Sequence, residues 1–117
     1  MKLLLTILLL FSTIASADDW SQEDTERETI FATLMVLDWR QTMDIARHSD
    51  IEETNPVLGK HPNNARINTY FAASLAAQYL IAQALPAEYR RYWQNAGIVF
   101  EATVVGGNYR LGLQIGW

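Results

Sequence analysis

The chain has 117 residues, enough for one small domain and too few for a multi-domain enzyme. It carries 9 Lys and Arg against 13 Asp and Glu, a net charge of −4, which makes nucleic acid a poor partner. There is no cysteine, so disulfides, thiolate catalysis, thiolate metal sites and a lipid-anchored cysteine are excluded.

Residues 1–17 read as an export signal. Lys2 supplies the positive start, and residues 3–14 are an uncharged run broken only by Thr6, Ser12 and Thr13. Ala15-Ser16-Ala17 then offers small residues to signal peptidase, followed by Asp18 and Asp19. The apolar run is shorter than the roughly 20 residues of a spanning helix. Cleavage after Ala17 is therefore expected, leaving residues 18–117 as a single helical domain. Loss of Lys2 takes its charge to −5.

The next stretch, residues 18–28, is acidic and contains two overlapping capping patterns, Ser21-x-x-Asp24 and Thr25-x-x-Glu28. Either can start a helix by pairing a hydroxyl with a first-turn N–H. A first helix is expected over about residues 25–48, with Ile30, Leu34 and Leu37, and Phe31 and Met35, at three- and four-residue spacing. Arg40 with Asp44, and Asp44 with His48, suit a solvated face. This helix is amphipathic rather than membrane-spanning.

Residues 49–64 form a loop rich in turn formers: Asn55-Pro56, Gly59 and His61-Pro62-Asn63-Asn64. A second helix follows over about residues 64–85, opened by Pro62 or a neighbouring Asn. Between Arg66 and Glu88 lie 21 residues without a charge, long enough to cross a bilayer. Ala72 with Ala76, and Ala73 with Ala77, permit close helix contact. Asn68, Ser74, Gln78 and Gln83 temper the segment, and a buried helix of a bundle reads much the same.

Pro86 ends this helix or begins a third, expected over about residues 88–106, where Gly106-Gly107 should stop it. In the tail, Tyr109, Leu111, Leu113, Ile115 and Trp117 alternate like a strand. An extended segment is expected there, packed on the helices or paired with another chain's edge. The fold class is all-α: a small three-helix bundle with a helix 2/helix 3 hairpin and a short extended C-terminal tail.

The candidate site is a polar cluster of Asp38, Gln41, Thr42, Glu53, Asn55, Glu101 and Asn108. Asp38, Gln41, Thr42 and Ile45 share one helical face. Glu101 interrupts the apolar part of helix 3, and an isolated buried carboxylate must pair, protonate or meet water. Both acids are expected to lie inward, near each other's helices, sharing partners such as Gln41, Thr42 or Asn108. Polar tuning of helix contacts is the plainer reading of each. His48 and His61 read as loop histidines, since no metal-ligand spacing surrounds them. No nucleophile elbow, P-loop or dinucleotide fingerprint is present, so no catalytic residue, metal or cofactor is assigned.

Asp38-Trp39-Arg40-Gln41-Thr42, followed by Glu53-Thr54-Asn55-Pro56-Val57-Leu58-Gly59, resembles a pattern in small uncharacterised bacterial membrane proteins. There a D-x-x-x-T helix segment precedes an E-x-N-P loop and further apolar helices. The likeness spans residues 38–59 and implies a helical membrane protein, with no activity attached. The chain differs in its cleavable signal and in a first helix too charged to span.

These features point to a small exported, non-enzymatic protein of the cell envelope. In one reading helices 2 and 3 form an inner-membrane hairpin, with the acidic first helix in the periplasm and Arg90 and Arg91 in a cytoplasmic turn. In the other the chain is a soluble periplasmic helical binding domain, which the mean hydropathy of −0.03 favours. A small enzyme using Asp38 and Glu101 is the third. The expected partners are a membrane, a second copy or an envelope protein, and not nucleic acid.

Overall fold

The computed structural model describes residues 19–47 and 55–110. They form three helices: α1 (Gln22–Ile45), α2 (Asn64–Ala84) and α3 (Ala87–Arg110). No strand occurs among the described residues.

Of the two capping patterns, the first is used. Ser21 Oγ accepts from the Asp24 N–H at 3.0 Å, and Asp24 Oδ2 accepts from the Ser21 N–H at 3.0 Å. This starts α1 one turn earlier than Thr25, whose hydroxyl instead donates to the Ser21 carbonyl. The helix ends at Ile45, three residues before His48, which lies outside the described residues. Asn63 caps α2 by accepting from the Arg66 N–H at 2.8 Å. Leu85 is extended, as a residue before proline tends to be, and this stops α2. The Pro86 carbonyl then accepts from Tyr89 and Arg90 and opens α3.

The helix α1 is the hub. It packs most extensively on α3 and less on α2, while α2 and α3 touch each other least. The apolar core is Phe31, Met35, Leu58, Ile67 and Phe71. Burying each large side chain is worth about 1.5–3 kcal/mol. Trp39 stacks on Phe71 at 5.7 Å, and Tyr70 meets the same ring edge-on at 5.0 Å. Leu58 comes from the loop. There the Asn55 carbonyl accepts from the Leu58 and Gly59 N–H groups, and Gly59 takes a φ of 82°, a conformation that favours glycine.

Several expectations need correcting. No helix among the described residues is long and apolar enough to cross a membrane, so the spanning hairpin is set aside. The physical reason is polar interruption: Asn68, Ser74, Gln78 and Gln83 in α2, and Arg90, Arg91, Gln94, Asn95 and Glu101 in α3. Arg90 is not in the connection between α2 and α3. It lies in the first turn of α3 with 0% exposure. Gly106 and Gly107 do not stop α3, which continues through Tyr109 to Arg110. The rest of the expected extended tail, residues 111–117, lies outside the described residues, as does the leader.

The polarity of α3 is inverted. Its buried residues are Arg90, Gln94 and Glu101, at spacings of four and seven. Its exposed side chains include Tyr89, Tyr92, Val99 and Phe100, the last two 66% and 62% exposed.

Candidate functional site

The buried stripe of α3 meets a matching stripe of α1, and three polar nodes result. The first lies where α1 begins. Arg90 Nη1 donates to Asp24 Oδ2 at 2.9 Å, and its Nε and Nη2 donate to the Ala82 and Leu85 carbonyls at 2.7 and 3.1 Å. One guanidinium thus pairs an acid of α1 and satisfies carbonyls left open at the end of α2. Trp20 lies 5.0 Å from it. Arg27 pairs with the other Asp24 oxygen and donates through Nε to Gln94 Oε1 at 2.9 Å. Gln94 Nε2 donates to the Asp24 carbonyl and to Glu28 Oε1. Burial works against the Asp24 carboxylate, but the Ser21 N–H, Arg90 and Arg27 outweigh it and hold its pKa low.

The second node is Asp38 with Glu101, which are 7% and 5% exposed. Thr42 Oγ1 donates to the Asp38 carbonyl at 2.8 Å and lies 3.2 Å from Asp38 Oδ1. The two carboxyls face each other closely enough to share a proton. Burial, the hydrogen bond to Asp38 and the Asp38 charge push Glu101 up to about 9. Burial also raises Asp38, against the hydrogen bonds from Glu101 and Thr42. In the third node Gln41 Nε2 donates to the Val105 carbonyl at 3.2 Å, and Asn108 Nδ2 donates to Gln41 Oε1 at 3.1 Å.

Of the sequence-derived cluster, Asp38, Gln41, Thr42, Glu101 and Asn108 therefore gather where α1 meets α3. Asn108 bonds Gln41 rather than a carboxylate. Asn55 shares a neighbouring cleft of about 370 Å³ with Asp38 and Thr42. Glu53 lies outside the described residues. Among those residues no group of three or more His, Asp or Glu is disposed to hold a metal.

Beyond the turn that joins them, α2 and α3 leave a second cleft of about 320 Å³ between them. Phe31 and Met35 of α1 line it together with Tyr70, Ala77 and Gln78 of α2 and Trp93, Phe100 and Glu101 of α3. Tyr70 and Phe100 also line the Asp38 cleft, so the acid pair has one cleft on each side. Gly97 lets the helices approach: a Cβ there would stand 2.9 Å from the Phe31 ring. Trp93 Nε1 donates to the Gln78 carbonyl at 3.1 Å, tying the rim of the cleft together.

Two polar groups in this apolar cleft are incompletely satisfied. Gln78 is 6% exposed, and neither Oε1 nor Nε2 completes a hydrogen bond. Glu28 lies toward the amide without closing one. The second group is Glu101, whose Oε2 is also without a partner. Buried polar groups are usually paired, so each orphan marks a place where something else is bound or where energy is lost. Glu101 is legible in the sequence as a site residue, whereas Gln78, Arg90, Asp24 and Gln94 are not.

The chain matches no protein-family profile, no curated protein and no solved structure.

Proposed function

We propose that the protein is a small exported, non-enzymatic binding module of the cell envelope, and that its working surface is the cleft between α2 and α3. The observation that carries this reading is the pair of orphaned polar groups, Gln78 and Glu101, inside a mostly apolar cleft that Ser74 and Tyr70 also line. Its volume of about 320 Å³ falls at the small end of ligand sites, which run from about 300 to 1,000 Å³. The exposed apolar face of α3 adjoins it through Phe100, and such a face in a helical protein usually meets something. With no helix among the described residues long and apolar enough to cross a membrane, and with an acidic chain, a binding domain is favoured over attachment to an anionic lipid surface.

The test uses the neutral apolar dye N-phenyl-1-naphthylamine. Saturable one-to-one binding is expected, and Ala77→Trp, at an exposed position lining the cleft, should remove it without lowering the melting temperature. Absence of saturable binding, or binding indifferent to Ala77→Trp, contradicts the reading. Export is tested by intact mass, which should begin at Asp18.

A further inference from the structure

We propose that the α2/α3 cleft takes a protonated amine carried on an apolar body, its ammonium group seated between the Glu101 carboxyl and the Gln78 amide oxygen. This rests on the binding-module reading and adds the chemical class of the ligand.

The orphaned atoms define the head group. Of the three orphaned atoms in the cleft, Gln78 Nε2 is a donor that lies toward Glu28, which leaves Gln78 Oε1 and Glu101 Oε2 as the acceptors without a donor. An ammonium brings three N–H donors and a positive charge, and so satisfies both. A carboxylate ligand would add a third acid beside Asp38 and Glu101 and is disfavoured by like charge. A ligand with no polar group would leave both acceptors buried and unpaired.

The surroundings agree. Trp93, Phe100 and Tyr70 line the cleft, and aromatic faces attract cations while covering an apolar chain. The titratable groups facing the head-group position are all acids or phenols: Asp38 and Glu28 from α1, Tyr70 from α2 and Glu101 itself from α3. Among the described residues no basic side chain lines the cleft. The cation nearest to the cleft along α1 is Arg27, which is committed to the Asp24 carboxylate and to Gln94 Oε1.

Binding is linked to proton release. Before an amine binds, burial and the neighbouring Asp38 carboxyl favour the protonated form of Glu101. When the ammonium donates to Glu101 Oε2, the O–H bond on the side of the carboxyl that faces Asp38 breaks, that proton leaves to solvent, and the carboxylate left behind pairs with the ammonium charge. Affinity therefore rises with pH until Glu101 loses its proton in the free protein, at about pH 9, and falls once the amine loses its own, near pH 10 as for lysine.

The experiment is a calorimetric titration of the protein with n-octylammonium, n-octanol and octanoate, each below its micellar concentration, at pH 6 and pH 8. Octylammonium should bind about tenfold more tightly than octanol, as a charge-assisted hydrogen bond predicts. Octanoate should be weakest, and only the octylammonium affinity should rise at pH 8. Glu101→Gln should bring the octylammonium-to-octanol ratio close to one. If that variant does not fold, Gln78→Leu, which keeps the bulk and removes the acceptor, should lower the same ratio. Equal binding of octanol and octylammonium to the unaltered protein overturns the ammonium proposal and leaves the binding module standing. Failure of all three ligands and of the neutral dye overturns both.

Discussion

Arg90 and Asp24 meet at 2.9 Å across the interface of α3 and α1, and solvent reaches neither side chain appreciably. The same guanidinium holds the Ala82 and Leu85 carbonyls, so it joins the start of α1, the end of α2 and the start of α3. Removing one partner of a buried pair strands the other charge and is costly. Arg90→Ala should therefore destabilise the protein by about 3–5 kcal/mol in urea unfolding. Arg90→Lys keeps the charge but lacks the planar fork, and should fall between the two. An Arg90→Ala protein as stable as the parent would refute this role.

Acidity separates the two carboxylate nodes. Glu101 keeps its proton in the folded state up to about pH 9, whereas the unfolded chain releases it near the ordinary value of 4.5. The folded state thus binds more protons between those limits, and stability falls as pH rises across them. Asp24 acts in the opposite sense. Its lowered pKa gives stability that is present above the ordinary value of 3.8 and is lost as pH falls through the folded value. Melting temperature should therefore peak in mild acid, near pH 5, and decline toward pH 9. Glu101→Gln should flatten the alkaline decline and leave the acid limb in place. A curve that climbs from pH 5 to pH 9 would contradict the buried acid pair.

The glycines of α3 differ in what surrounds them. At Gly97 an added Cβ would stand 2.9 Å from Phe31 Cδ2 and Cε2, so the ring must move. Gly97→Ala should cost about 1–3 kcal/mol, the usual range for overpacking. Around Gly106 and Gly107 there is nothing within 4 Å. Each, replaced by Ala, should stabilise the helix by about 0.5–1 kcal/mol. Thermal unfolding of the three variants measures both signs, and the same sign at all three positions would be inconsistent with the packing.

Helix order and the start of α2 at Asn63 are legible in the sequence because they depend on local chemistry; at α1 both capping patterns are visible, but the expected start near Thr25 is one turn later than the Ser21–Asp24 box that is used. The apolar spacing of Phe31 and Met35 likewise marks the buried face of α1. The end of α3 is not legible. Two glycines cost about 1 kcal/mol each against Ala, yet Asn108 and the Val105 carbonyl both bond Gln41, and that tertiary contact holds the last turns in place. The site is half legible. Asp38 and Glu101 stand out because each breaks an apolar run. Arg90 and Asp24 do not, since a charge beside Pro86 and an acid in a capping box have ordinary surface readings. Their pairing depends on how α1 crosses α3. Gln78 is hidden for a related reason: a glutamine within a long uncharged helix says nothing of which neighbour it lacks.

The most direct test of the cleft as the working surface is the side-chain amide resonance of Gln78, followed by NMR as the protein is saturated with n-octylammonium. The Gln78 Nε2 protons and the Trp93 indole proton should shift together, with one saturation curve, while the Arg66 backbone N–H capped by Asn63, some 18 Å from Gln78 along α2 at about 1.5 Å per residue, stays in place. Shifts confined to the exposed Val99 and Tyr92 region, with Gln78 unmoved at saturation, would contradict the account.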